Sequence, residues 1–471
     1  MLDILLVLPP PVISSPIDPP KGIAPPLGLG YLAAVLEQAG YQVALLDMQA
    51  EHVRGADLTQ FVREQQPRVV GISTVVKTYK NGLRAAQLIK NVAPATKVIV
   101  GGPQATFLVD ETLACPAVDV VVRFEGEETM LELMHHFADH GPALDRIRGI
   151  AFRDGDRICQ TDPRPLIADL DSLPWPARRL FKLEQYAEPG ILITARGCSS
   201  QCVFCAANTL YPDPPYRARS PRLVVDEIEE LVKRYRLNSF FIADDTFTLW
   251  PKRAIDICEL LIARGLKVNW TCEARINTMT AHLAEKLVEA GCTGVNYGVE
   301  TGNPEIMRQI RKGIRLARVE DVVNLSQARG LDVVCSFIIG LPQDTFKTVG
   351  QTIELSRRLE KLGTPSTRER QGSRGRVTCS FTILTPLPGT HVYEHAQELG
   401  IRFLTKDWDH YTLVEPVIET QHLQASDLHN LYFEATLGPR STLFATTEKD
   451  AADLPANDSR RLQGNLSGVR P

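Results

Sequence analysis

The stretch TARGCSSQCVFCAANTL, Thr194 to Leu210, holds Cys198, Cys202 and Cys205 with three and then two residues between them. Three thiolates at such spacing suit iron or zinc. Structural zinc takes four ligands, commonly as two separated pairs. No nearby His or Cys completes such a set, and the next cysteine downstream is Cys258. Clusters that only carry electrons also take four cysteines. A 4Fe–4S cube on three cysteines leaves one iron open to a further ligand, as catalytic zinc keeps an open position.

Working outward, ILIT just before this stretch is the first of six strand candidates. The others are SFFIADD, KVNWTCEAR, TGVNYGVETG, DVVCSFIIGLP and RVTCSFTILTP. Helical segments lie between them, several ending at a glycine: Gly265, Gly291 and Gly330. Six β/α units predict a parallel barrel, complete or partial, with its chemistry at the carboxyl ends of the strands. Asp244, Asp245, Glu273, Arg275 and Glu300 gather at those ends, and the triple cysteine follows the first strand.

Upstream, about 135 residues also alternate strand and helix. DILLVLPP, YQVALLDM, RVVGIST, KVIVGG and DVVVRFEG read as strands, and Leu29, Leu32, Val35 and Leu36 recur at helical spacing before Gly40. Five such strands predict a parallel, doubly wound sheet that binds its ligand at the strands' carboxyl ends. Those ends carry Ser73, the pair Gly101–Gly102, and Glu125–Gly126–Glu127. No GxGxxG follows the first strand, so a dinucleotide is disfavoured. The stretch 141–188, stiffened by Pro174 and Pro176, reads as a connector. The polar, basic run STRERQGSRGR (366–376) reads as a mobile surface loop, and the tail 446–471 as disordered.

The chain has 471 residues and net charge -4, so it lacks the basic field that holds nucleic acid. No segment reads as a membrane span, and the first residues lack a basic leader, so a cytoplasmic location is expected. The seven cysteines outside the cluster are scattered among apolar residues and read as buried thiols.

CSSQCVFC matches the CxxxCxxC pattern of the radical S-adenosylmethionine (SAM) superfamily. The resemblance covers roughly 190–395 and implies a partial (β/α)6 barrel. It also implies a 4Fe–4S cluster on Cys198, Cys202 and Cys205 whose open iron chelates SAM, which is then cleaved to a 5'-deoxyadenosyl radical. Phe204 resembles the residue whose main chain meets the adenine. FFIADDTF occupies the place of the second-strand motif, so Asp244 or Asp245 would hold the methionine amino group. Arg275 in CEARIN would pair with the methionine carboxylate through its fork of donors. Glu300 in GVETG would lie near the ribose, and Gly340 in FIIGLPQDT would let the chain approach adenine.

The first domain resembles the cobalamin-binding domain that precedes the barrel in one branch of that superfamily. GISTVV, VIVGGPQAT and RFEGEET carry this likeness, and through them Ser73, Gly101, Gly102, Gln104, Glu125, Gly126 and Glu127 are the implied cobalamin contacts. The DxHxxG segment that supplies an axial histidine elsewhere is missing: the first loop reads PPPVISSPIDPPKG, and His52 stands in the wrong place. KDWDHYTLVEPV (406–417) resembles the branch's segment after the barrel.

The expected order is therefore a cobalamin domain (1–140), a linker (141–188), the barrel (189–395), a small helical region (396–445) and a tail (446–471). The implied activity is cobalamin-dependent methylation of an unactivated carbon in a small molecule, with a non-methylating cyclisation, ring contraction or rearrangement as the alternative. A reductant protein such as flavodoxin or ferredoxin is the implied partner.

Anaerobic reconstitution should give about four iron and four sulfide per chain. Changing Cys198, Cys202 and Cys205 together to Ala should abolish both the cluster and 5'-deoxyadenosine formation. Iron retained by the triple variant would refute the ligand assignment.

Overall fold

A computed structural model describes residues 2–12, 24–363 and 375–438. The expected loop at 366–376 (all but its last two residues), the expected tail and most of the first loop's PPPVISSPIDPPKG lie outside them.

Apolar runs bounded by polar turns make the first sheet. Its strands are β1 (Ile4–Leu8), β2 (Val43–Asp47), β3 (Val69–Ser73), β4 (Lys97–Gly101) and β5 (Val120–Val122). They are parallel, in the order β2-β1-β3-β4-β5. Helices on both faces bury β1 almost completely, which explains its unbroken ILLVL. The strand order reverses between β1 and β3, where such sheets open a crevice for ligand.

The stretch 141–188 does more than connect. Within it β6 (Ile150–Asp154) and β7 (Arg157–Gln160) form a hairpin that extends the first sheet beyond β5 in antiparallel sense. The rest packs against both halves of the molecule. The Tyr186 hydroxyl donates to Asp47 at 3.1 Å, and Arg178 pairs with Glu227 at 3.0 Å.

The second half opens with β8 (Ile191–Leu192), followed by the short hairpin β9 (Ala195–Gly197) and β10 (Tyr216–Ala218). Then come β11 (Ser239–Ile242), β12 (Asn269–Ala274), β13 (Cys292–Glu300), β14 (Asp332–Ile339) and β15 (Val377–Ile383). The sheet order β15-β14-β13-β12-β11-β8 is parallel throughout, so all six expected strands form one partial barrel. β9 and β10 stand apart as their own antiparallel pair, bracketing the cysteine loop.

Two contacts tie the segment after the barrel to the first domain. Lys80 bridges Asp407 at 2.5 Å and Asp409 at 2.9 Å, and the Trp408 indole donates to Glu111 at 2.8 Å. The final helix, Ala425–Leu437, lies against β15 and β14. Among the described residues no helix is long and apolar enough to cross a membrane.

Arg178, Arg219 and Glu227 are almost wholly buried, and both guanidiniums meet the one carboxylate. Glu227→Gln would strand two buried cations. Removing one partner of a buried ion pair costs about 3–5 kcal/mol, so the urea midpoint of this variant should fall well below that of the parent. An unchanged midpoint would show that the pair adds nothing.

Candidate active-site cleft

The cysteine loop is built by backbone capture. Gly197 has φ +84, and a Cβ there would lie 2.2 Å from the Pro215 carbonyl oxygen, so only glycine turns the chain out of β9. The Val203 amide donates to the Ile310 carbonyl at 3.1 Å, and the Val203 carbonyl accepts from Val392 at 3.0 Å. Cys198 and Cys202 are buried, Cys205 is exposed, and all three are free thiols. Among the described residues no three His, Cys, Asp or Glu side chains converge as on a single ion.

The two candidate aspartates separate cleanly. Asp244 is buried, and its carboxylate accepts from the Thr194 amide at 2.5 Å, the Ala195 amide at 2.9 Å and the Thr194 hydroxyl at 2.5 Å. It is buried and engaged in shaping the chain between β8 and β9, and it does not line the cleft. One oxygen of Asp245 accepts from the Gly197 amide at 3.0 Å, and the residue lines the cleft. Burial raises its carboxyl from the usual range, so a cationic partner there would be welcome.

On the other side of the loop, the Arg275 guanidinium donates to the Ser200 hydroxyl and the Lys312 carbonyl. Glu300 is buried at φ +70 and pairs with Lys312 at 2.6 Å. Gly298 makes room for that pair, since a Cβ there would fall 2.4 Å from Glu300 Oε1 and 2.6 Å from Lys312 Nζ. Lys312 Nζ also stands 5.9 Å over the Phe204 ring. Burial works against the Lys312 ammonium, but Glu300 outweighs it and the pKa is raised. Lys312 was not singled out in the sequence, because its helix-following loop carries no motif.

Gly340 keeps the expected left-handed backbone (φ +84), but the space over it is taken. A Cβ would meet Leu428 Cδ2 at 2.5 Å, so what the glycine admits is the last helix.

Between the halves runs a cavity of about 520 Å³. Its first-domain wall includes Ser73, Gly101, Gly102, Glu125, Gly126 and Glu127, and its far wall includes Asp245 and Cys205. An apolar recess lined by Leu6, Ile99, Val122 and Met130 extends it into the first domain. Gly101 would meet only Val122, at an ordinary 3.5 Å, whereas a Cβ on Gly102 (φ +95) would strike the Thr74 carbonyl at 2.4 Å. Gly102 is therefore a backbone requirement, and Gly101 a cavity surface. Gly28 also faces the cavity, with nothing within 4 Å of where its Cβ would be. Gln104 does not line the cavity, though it is buried and its Nε2 has no partner among the described residues. His52 is exposed, and among the described residues no histidine lines the cavity.

Glu125 and Glu127 line the cavity, and both carboxylates are engaged by arginines from beside the cysteine loop. Arg196 donates to Glu125 at 2.7 Å and to Glu127 at 2.6 Å, and Arg217 donates to Glu125 at 2.9 Å. Arg196, two residues before Cys198, also stacks over Tyr31 at 5.4 Å. Burial alone would raise the Glu125 carboxyl, but Arg217 and Arg196 hold it below the usual carboxylate range.

The family model described as the radical SAM superfamily matches residues 192–356, and that of the B12 binding domain matches 16–134. An uncharacterized methyltransferase of Pyrococcus horikoshii is 33% identical over 441 residues, which is 92% of each chain. The anaerobic magnesium-protoporphyrin IX monomethyl ester cyclase of Cereibacter sphaeroides is 29% identical over 421 residues, 86% of this chain and 65% of that longer one. Among solved structures, the radical SAM methyltransferase TsrM from Kitasatospora setae, with cobalamin and a 4Fe–4S cluster bound, has a TM-score of 0.71 at 17% identity. It covers 93% of this chain and 88% of that one, which shows a shared fold.

Gly28 gives a clean probe of the cavity. Gly28→Leu places bulk in open space on a helix, where leucine is favoured over glycine by up to about 1 kcal/mol. The ligand-free protein should melt at the same temperature or higher, while cobalamin binding weakens at least several-fold. Gly102→Ala should instead lower the melting temperature of the ligand-free protein. Unaltered cobalamin affinity in Gly28→Leu would show that the ligand lies elsewhere.

Proposed function

This chain belongs to the radical SAM enzymes that carry a B12-binding domain, and from that premise we propose that it methylates an unactivated carbon of a small-molecule or natural-product substrate. The observation that carries the reading is the shared cavity: the carboxyl edge of the first sheet and the cysteine loop face one space. The choice of methylation rests on the relative from Pyrococcus horikoshii, whose match spans nearly all of both chains. The cyclase relative favours a second reading, a ring closure using the same cofactors.

When bound, the cluster and SAM supply a carbon-centred radical that removes hydrogen from substrate, and cobalamin supplies the methyl group. The residues of this chain fit these groups. Cys198, Cys202 and Cys205 are the thiolate set. Asp245 offers a carboxylate to the SAM amino group in place of the engaged Asp244. Arg275 stands beside the loop with a forked donor for the methionine carboxylate, held meanwhile by Ser200 and the Lys312 carbonyl. Glu300 and Lys312 form a neutralised pair next to Phe204, and would present one acceptor and one donor to the ribose and adenine side. The apolar recess behind Gly101 and the open surface at Gly28 suit the bulky cobalamin tail. Electrons would come from a reductant protein such as a flavodoxin or ferredoxin.

Each methylation should consume two molecules of SAM, giving one 5'-deoxyadenosine and one S-adenosylhomocysteine, because the methyl donor must be recharged from an electrophile. Methyl-labelled SAM and the mass of the product test this. Product formed at normal rate without label would remove the methylation reading and leave ring closure. Arg275→Ala should slow both outputs, as the carboxylate loses a charge-assisted, two-pronged partner.

A further inference from the structure

Arg196 on β9 and Arg217 on β10 are register partners in an antiparallel pair. Side chains directly opposite on such a pair share a face, and like charges placed so are destabilising. Both guanidiniums are nearly buried, at 11% and 3% exposure, so water does little to screen them. The hairpin that launches the cysteine loop therefore carries two facing cations and no anion of its own. The first domain supplies the anions. Glu125 gives one oxygen to each arginine, Glu127 takes the second prong of Arg196, and the Ile167 amide completes Glu125 at 2.8 Å. Two cations and two anions then balance across the domain boundary.

We propose that Glu125, Glu127 and Arg196 form a bridge that fixes the spacing between the cobalamin site and the cluster, with Arg196 as a positioning residue. Arg196 lies one residue from the obligatory Gly197 and two from Cys198, so its fork sets where the cluster loop begins. Glu125 follows the carboxyl end of β5 and Glu127 opens the helix Glu127–Phe137, so their backbone is fixed by the first sheet. A fork on one side and two rigidly mounted carboxylates on the other leave little freedom for one domain to slide over the other. Forming the bridge also removes the repulsion in the hairpin, so the first domain adds to the barrel contacts that shape the cluster loop.

The inference rests on both cofactors sharing this cleft, and its test involves no turnover, so it stands or falls apart from the reaction catalysed. Glu125→Gln/Glu127→Gln keeps the shapes and removes the charges. After reconstitution and dithionite reduction, the reduced cluster speeds relaxation of the cob(II)alamin electron paramagnetic resonance signal in a distance-dependent way. In the double variant, with iron and cobalamin content kept, the microwave power for half-saturation of that signal should drop several-fold. An unchanged value with both cofactors loaded would overturn the proposal. Should the double variant not load, Arg196→Lys decides in its place, since it keeps the charge and loses the fork. A several-fold drop there supports the bridge and the parent's value overturns it. Loss of a cofactor or of the fold in Arg196→Lys would give the side chain another task and likewise overturn the proposal.

Discussion

Two consecutive carboxylates at the end of β11 catch three amides of the chain as it leaves β8, and the cleft depends on this capture. Asp244 holds the Thr194 and Ala195 amides and Asp245 the Gly197 amide. β8 is thereby stopped after two residues, and Ala195–Gly197 are free to pair with β10 instead of the barrel. Burying Asp244 raises its pKa, yet the buried Arg253 nearby opposes that shift and itself donates to the Thr194 carbonyl at 2.8 Å. Donor and acceptor of one peptide segment are thus both held by side chains, which fixes the loop without any regular structure of its own.

What could be read in the sequence follows from the range of each interaction. Strand periodicity and glycine stops are local, and all eleven parallel strands fall where the apolar runs predicted them. The β6–β7 hairpin was legible too: Ile150, Phe152 and Ile158 flank a Gly155–Asp156 turn, a short-range signal hidden by the prolines that follow. Side-chain partners are not local. Nothing near Glu125 indicates that its charge is answered by Arg196, 71 residues on, or Arg217, 92 on. The arginine inside the opening stretch was in view, but cysteines define that motif and the cation only gains meaning from the opposite domain. Gly340 shows the same limit, because a positive φ is readable from the residue type while the identity of its neighbour, Leu428, is not.

The barrel, for its part, is stabilised from outside. Its strands largely alternate: Trp270, Cys272, Val295, Tyr297, Cys335 and Phe337 are buried toward the surrounding helices. The opposite face carries Thr271, Glu273, Asn296, Ser336, Ser380 and Thr382, all partly or fully exposed. An ordinary eightfold barrel fills its interior with branched apolar side chains. Here polar groups satisfy one another instead, Asn296 donating to Glu273 at 3.0 Å and Ser336 meeting Ser380 at 3.1 Å. Stability from packing and room for chemistry are thus assigned to opposite faces of the same strands.

That division explains why the first domain must be held so firmly. A lumen left unfilled cannot itself resist shear between the halves, and the apolar clusters of the two domains are largely separate. Polar contacts make much of the join instead, among them Arg196 with Glu125 and Glu127, Lys80 with Asp407 and Asp409, and Trp408 with Glu111. Charged pairs of this kind are directional, so they define a spacing as well as an attraction. The deepest of the three sits on the strand that feeds Cys198, where an error in position would be passed straight to the cysteine loop.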